Sequence, residues 1–146
     1  MLPVVFLSHG AGPAWFVDGS QPGFTRLKEL DQTSESADFM RNLRRIAGLP
    51  RSPDAIFVVS AHWEEDELSV LSCEQPKLYY DYGNFPEHTF HLKYPTPGAV
   101  KAAEKVKALL IKAGFKCNTE EKRGLDHGVF VPLMLAYPEA DVPGWL

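Results

Sequence analysis

Two short apolar runs, each ended by small and polar residues, stand out in the hydropathy pattern of the chain. They cover residues 3–7 and 54–59, and each is followed within three positions by a histidine, His9 or His62. A continuous apolar run that ends at turn residues is typical of a strand buried on both faces of a parallel sheet. The pattern therefore predicts two buried strands with polar side chains at their carboxyl ends.

Two amphipathic stretches predict helices that flank this sheet. In residues 34–47 apolar side chains recur at helical spacing, and either Ser34 or Ser36 is a suitable N-cap. In residues 96–113 Thr96 is the expected cap, with a proline at the first helical position and a glycine after the last.

Further short strands are predicted at residues 68–71 and 115–117, and an apolar, helix-like stretch follows residue 128. Between them lies an aromatic segment, residues 76–97, which is broken by Gly and Pro and suits a functional loop, a lid or part of the core. Because strands and helices alternate, we expect an α/β fold with one sheet covered by helices. We expect a single domain over residues 1–146.

Composition limits the classes of function. The chain has 146 residues, of which 45% are hydrophobic and 23% charged, as in an ordinary globular domain. A net charge of −4 argues against nucleic acid as a partner, and no apolar run is long enough for a membrane span or signal sequence. Cys73 and Cys117 form no paired motif, which fits a reducing compartment. We therefore expect a cytoplasmic protein that binds neither nucleic acid nor membrane.

The two histidines after the predicted strands are the first candidates for chemistry. Ligands of parallel α/β sheets bind at the carboxyl ends of the strands, where His9 and His62 are expected to meet. Neutral imidazole is the commonest metal ligand and suits iron and zinc. Either histidine alone is more often a satisfied polar residue, but two equivalent positions predict one shared metal ion.

Other histidines fit less specific roles. His127, between Asp126 and Gly128, could act as an acid/base, as a substrate hydrogen-bond donor, or simply as the start of a helix that Asp126 caps. His88 and His91 lie three positions apart in a proline-bounded loop, where surface or packing roles are more common.

Seven short motifs, taken in order, resemble those of a known family. The order of the motifs and their residues are similar to those of the class III extradiol ring-cleavage dioxygenases, specifically the branch of 4,5-DOPA extradiol dioxygenase-like proteins. The motifs are LSHG at 7–10, IFVVSAHW at 56–63, YDYGNFP at 80–86, YPTPG at 94–98, GLDHG at 124–128, VPL at 131–133 and YPEAD at 137–141.

The resemblance implies a three-layer αβα domain with a mostly parallel central sheet, which opens catechol-type, DOPA-like rings with O2. It implies that His9 and His62 hold one divalent metal ion, Fe(II) or Zn(II), and that His127 lines the active site near the substrate. Members of the family continue beyond the length of this chain and carry a third ligand and a further catalytic histidine there. No histidine follows His127 here, so we expect a domain that is incomplete at its C-terminus.

Two alternatives to an active dioxygenase follow. One is a truncated, non-catalytic form that binds metal weakly, pairs with a full-length partner or self-associates through an exposed sheet edge. The other is a zinc hydrolase in which a carboxylate of Glu64, Glu65 or Asp66 joins the two histidines. The chain lacks the G-x-S-x-G, P-loop and G-x-G-x-x-G motifs of serine hydrolases and nucleotide-binding proteins.

Overall fold

A computed structural model describes residues 3–145 and contains short strands, four α-helices and three 3-10 turns. The strands are β1 (Ile56–Phe57), β2 (Leu68–Leu71), β3 (Cys117–Glu120) and β4 (Gly144–Trp145). The helices are α1 (Glu35–Arg41), α2 (Leu43–Ile46), α3 (Val100–Lys112) and α4 (His127–Ala136), and the 3-10 turns are Ala14–Phe16, Thr25–Leu30 and Glu87–His91.

The strands form two parallel ladders. β2 pairs with β3 from Leu68 opposite Cys117 to Leu71 opposite Glu120, and β1 pairs with β4. Helix α3 lies in the crossover between β2 and β3, as parallel strands require. The predicted α/β class with parallel pairing is therefore confirmed, although the two ladders stay separate within residues 3–145.

The first predicted helix is confirmed in position but is broken in two. Ser34 is the N-cap, and its hydroxyl accepts a hydrogen bond from the Ala37 backbone N–H at 3.2 Å. The break is at Asn42, whose side-chain amide donates to the Asp38 carbonyl at 2.8 Å. Such back-bonding by a short amide side chain competes with the regular helical ladder.

The predicted start of the second long helix is wrong. Helix α3 begins at Val100, and the Thr96 hydroxyl instead donates to the Val142 carbonyl at 2.8 Å. The Pro97 carbonyl accepts a hydrogen bond from the Gly144 backbone N–H at 3.1 Å. The residues expected to open the helix thus join the C-terminal segment to the rest of the fold.

The predicted strand at residues 3–7 is also wrong, because this segment forms no ladder and is largely exposed. Val4 is 98% and Phe6 96% exposed. The second predicted strand is shortened to β1, beyond which Val59 is 83% exposed. The predicted strand at 115–117 starts only at Cys117. An apolar run forms a buried strand only where neighbouring elements cover it, and within residues 3–145 no element covers Val4, Phe6 or Val59.

Helix α4 forms the centre of the core and carries the start of the candidate site. Phe130 and Val131 are completely buried, and the helix packs against α1, where Met40 is buried. The Tyr94 hydroxyl donates to the Tyr137 carbonyl at the C-terminal end of α4 at 3.0 Å. The first residue of this fixed helix is His127. No helix among residues 3–145 combines the length and apolarity that crossing a membrane requires.

The buried hydroxyl of Tyr94 gives a test of this core. We expect Tyr94→Phe to lower the free energy of unfolding by about 1 kcal/mol, because the hydrogen bond from the buried hydroxyl is lost, while the Tyr137 carbonyl keeps the one from the Ala140 backbone N–H. Tyr79→Phe is the control, since the Tyr79 side chain is about half exposed and should change stability little. Urea denaturation measures both, and equal stability of the Tyr94 variant and the unsubstituted chain would contradict this account of the core.

Candidate metal centre

Three histidines from distant parts of the sequence converge at one point. One ring nitrogen from each of His9, His62 and His127 lies within 4.8 Å of the others. The Nε2 atoms of His9 and His62 are 3.0 Å apart, and the rings of His62 and His127 are 4.2 Å apart between centroids. The structure thus brings together the predicted pair and the third candidate.

His9 lies in a loop whose backbone conformation favours glycine at two positions. Gly10 and Gly12 have φ angles of +74° and +49°, a region that disfavours residues with a side chain. A Cβ at Gly12 would also lie 2.8 Å from the Phe85 ring. The loop therefore packs directly on the aromatic segment, and this contact places His9.

His62 lies in a segment without regular secondary structure, residues 58–67, between β1 and β2. Its backbone N–H donates to the Ser60 hydroxyl at 3.1 Å, and its carbonyl accepts from Arg123 Nη2 at 2.9 Å. Both peptide groups next to its side chain are thus held by other residues.

His127 is oriented by Asp81. The backbone N–H of His127 and its ring Nδ1 both contact Asp81 Oδ1, at 2.9 and 2.8 Å. Asp81 Oδ2 lies 3.9 Å from His62 Nδ1. A carboxylate that accepts a hydrogen bond from Nδ1–H fixes the tautomer and leaves Nε2 free for a metal or a substrate.

Asp81 is the functional residue to which the sequence assigned no role. It belongs to the YDYGNFP motif, but it lies in an irregular aromatic segment where no periodicity indicates its direction. The available signal was chemical, since an acidic residue among aromatic side chains needs a partner if it is buried.

Asp126 occupies the N-cap position of α4, as expected, but its side chain does not cap the helix. Its Oδ1 accepts a hydrogen bond from the Ser60 hydroxyl at 2.8 Å, and its Oδ2 lies 3.5 Å from Arg123 Nη2. The carboxyl group is completely buried. The residue therefore connects the start of α4 to the loop that carries His62.

Gly128 allows the histidines to approach helix α4. A Cβ at this position would lie 2.7 Å from His62 Cδ2 and 3.3 Å from His9 Nε2. Any side chain here would push two of the three imidazoles outwards. The glycine after His127 is thus part of the geometry of the site.

The electrostatics favour a neutral His9 imidazole near an ionised Asp81 carboxylate. Burial lowers the pKa of His9, and the neighbouring His127 and His62 lower it further. Burial alone would raise the pKa of Asp81, but the hydrogen bonds from His127 hold it below its ordinary value. Metal ions bind deprotonated imidazole, so the lowered pKa of His9 favours the form that a metal ligand needs.

The remaining candidates lie outside this group. His88 contacts the Phe16 carbonyl at 2.8 Å, and His91 pairs with Glu87 on the surface at 3.0 Å. Of the acidic run after His62, Glu65 accepts a hydrogen bond from the Trp63 indole. No carboxylate belongs to the metal-binding group found within residues 3–145, so the geometry provides no support for the hydrolase alternative.

The aromatic segment is mainly structural. The hydroxyls of Tyr80 and Tyr82 donate to the backbone carbonyls of Leu92 and Thr89 at 2.6 and 2.7 Å, which ties the segment to itself. The Tyr82 ring lies edge-on to His127 at 5.9 Å between centroids. The segment therefore closes one side of the cluster with apolar carbon.

The role of Asp81 gives a testable prediction. We expect Asp81→Asn to weaken Zn2+ binding about 10- to 100-fold, because the orientation and basicity of His127 depend on the carboxylate. Isothermal titration calorimetry measures the affinity. Asp54→Asn is the control, because Asp54 forms an exposed ion pair with Arg51, and this variant should bind as the unsubstituted chain does. Unchanged affinity in the Asp81 variant would remove Asp81 from the site.

Comparison with known proteins supplies the family. The family model described as the catalytic LigB subunit of aromatic ring-opening dioxygenase matches residues 3–144. A 4,5-DOPA dioxygenase extradiol of Beta vulgaris is 41% identical over 139 residues, which are 94% of this chain and 46% of that protein. The protein of the same name from Portulaca grandiflora is 46% identical over 139 residues, which are again 94% of this chain and 46% of that protein.

A solved structure is also similar. An uncharacterized protein of Escherichia coli K12 superposes with a TM-score of 0.56 and 29% identity, over 75% of this chain and 38% of that one. The chain spans about half the length of the curated relatives that it matches. Given the match over residues 3–144, the chain belongs to the LigB family of aromatic ring-opening dioxygenases, in the 4,5-DOPA extradiol branch of the class III enzymes that its motifs predicted.

Proposed function

We propose that this chain carries the metal-binding part of an extradiol dioxygenase that opens catechol-type, DOPA-like rings with O2. In this proposal residues 1–146 form part of a three-layer αβα catalytic domain in the cytoplasm. His9 and His62 bind the metal, and His127 faces the substrate. The convergence of these three histidines beside Asp81, in a chain of this family, is the observation that carries the proposal.

The donor set fits a small divalent ion. Metal–nitrogen bonds of about 2.0–2.1 Å in a tetrahedral site separate neighbouring nitrogens by about 3.3 Å. The 3.0 Å between the Nε2 atoms of His9 and His62 is close to that value. Imidazole suits both Fe(II) and Zn(II), and the two ions compete for such sites. When bound, iron would supply the redox and Lewis-acid chemistry that ring opening with O2 requires.

The overall reaction adds both oxygen atoms of O2 to the ring. The bond between one hydroxyl-bearing carbon and its unsubstituted neighbour is broken, and a carboxylic acid and an aldehyde form at the two ends. A catechol reacts as an anion, so a group beside the ring must take a proton from a hydroxyl.

His127 has the arrangement of such a base. With Nδ1 hydrogen-bonded to the Asp81 carboxylate, the neutral ring carries its proton on Nδ1 and presents Nε2 as the acceptor. When Nε2 takes a proton from the substrate hydroxyl, the Asp81 carboxylate stabilises the resulting imidazolium. Because His127 is buried beside the ring of Tyr82, bulk water has little access to this proton.

This proposal predicts that His62→Ala abolishes activity. With Fe(II) and DOPA under air, the unsubstituted chain should consume O2 and form a yellow ring-opened product, and the variant should do neither. An oxygen electrode and visible absorbance follow the two signals. His91→Ala is the control, because His91 pairs with Glu87 on the surface. Activity that survives in His62→Ala would contradict the assignment of the metal ligands.

The exposed apolar segments next to the site favour a second candidate, a non-catalytic form that associates with another polypeptide. Val4 and Phe6 precede His9, and Val59 precedes His62, and all three side chains are largely exposed. Unpaired extended segments with apolar side chains are sites of strand addition. This candidate predicts weak metal binding and a self-associated or partner-bound chain.

Sedimentation equilibrium tests the second candidate. We expect the unsubstituted chain to sediment above its monomer mass of 16.3 kDa, and Phe6→Asp to shift it towards the monomer. Phe115→Asp is a matched control, because Phe115 is also an exposed aromatic but lies after α3. A monomeric unsubstituted chain, or equal effects of the two substitutions, would overturn self-association through residues 3–7.

A further inference from the structure

Arg123 lies between two aromatic rings next to the metal centre. Its guanidinium carbon is 4.9 Å from the centre of the Trp63 ring and 5.4 Å from that of Tyr79. The side chain is 20% exposed. A guanidinium stacked in this way is held in one plane, and this fixes the direction of its N–H groups.

The fixed guanidinium contacts the loop that carries His62 and the start of α4. Arg123 Nη2 donates to the His62 carbonyl at 2.9 Å and lies 3.5 Å from Asp126 Oδ2. Because Asp126 is completely buried, its charge needs a nearby cation, and Arg123 provides one.

A second path connects the same two elements. Asp126 Oδ1 accepts from the Ser60 hydroxyl at 2.8 Å, and the Ser60 oxygen accepts from the His62 backbone N–H at 3.1 Å. The N–H and the carbonyl of His62 are thus both tied, through Ser60 and Arg123, to Asp126. Asp126 is the residue immediately before His127.

These contacts matter because the imidazole of His62 contacts other members of the same cluster, His9, His127 and Asp81. The segment from residue 58 to residue 67 has no helix or strand, and the His62 side chain is one-third exposed. The direction of its imidazole therefore depends on how its backbone is held. A loosened backbone would vary the distance from His62 Nε2 to His9 Nε2.

We propose that Arg123 is a positioning residue that, with Asp126 and Ser60, locks the His62 peptide against the start of α4 and so sets the metal-binding geometry. The predicted effect on metal affinity rests on the proposed function. The lock itself is a property of the metal-free chain and is measurable without any metal.

The first arm of the experiment is amide hydrogen exchange of the metal-free chain, resolved by residue with NMR. Arg123→Lys keeps the positive charge but removes the planar guanidinium, which stacks on the aromatic rings and donates a hydrogen bond to the His62 carbonyl at the same time. We expect exchange at His62 and Trp63 to accelerate about tenfold, with exchange in α3 unchanged. Arg51→Lys is the matched control, because Arg51 forms only an exposed ion pair with Asp54.

Ser60→Ala provides a second variant that removes the other path without changing any charge. It should accelerate exchange at His62 in the same way, and it keeps the inference testable if Arg123→Lys does not fold. Unchanged exchange at His62 in a folded variant would overturn the proposal. Acceleration spread evenly over the whole chain would also overturn it, because that result indicates a general loss of stability.

The second arm is titration of the same variants with Co2+, followed by the visible absorption of the bound ion. Arg123→Lys and Ser60→Ala should bind Co2+ about tenfold more weakly than the unsubstituted chain and Arg51→Lys. Faster exchange with unchanged Co2+ affinity would overturn the positioning role. If the unsubstituted chain binds no Co2+, the proposed function fails, and exchange at His62 still decides whether the lock exists.

Discussion

The contact between Asp81 and His127 is the interaction on which the site depends. One carboxylate oxygen accepts hydrogen bonds from both the backbone and the ring of a residue 46 positions away. This contact connects the aromatic segment to the first turn of α4, a helix in which seven of ten residues are buried. The contact with Nδ1 also selects the tautomer of the neutral His127 ring. The same two hydrogen bonds therefore determine both the packing of the aromatic segment and the orientation of the His127 imidazole. Because His9 packs through Gly12 on Phe85 of that segment, the position of His9 depends on it as well.

The sequence was sufficient to predict which two histidines meet. His9 and His62 each come after an apolar run, and the expectation that they meet is confirmed although the first run forms no strand. The apolar runs and the turn glycines indicated where the chain changes direction. This prediction holds even where the predicted strand does not form. The start of α1 was also predictable, since Ser34 caps it through purely local contacts.

Other features depend on contacts between distant residues and could not be predicted. The Thr96 hydroxyl bonds to Val142 instead of capping a helix, and Asp126 bonds to Ser60 instead of capping α4. In both cases a tertiary partner competes successfully with the local one. The exposure of Val4 and Phe6 likewise reflects which neighbours are present, which hydropathy does not encode. The partner of Asp81 could not be predicted from periodicity for the same reason, since the direction of its side chain is set by His127.

The central claim is that the imidazoles of this cluster hold one divalent ion. X-ray absorption at the zinc edge of the zinc-loaded chain tests it most directly. The account predicts at least two imidazole nitrogens at about 2.0–2.1 Å, with the outer-shell scattering of histidine rings. Zinc surrounded only by oxygen, without that ring scattering, would contradict it.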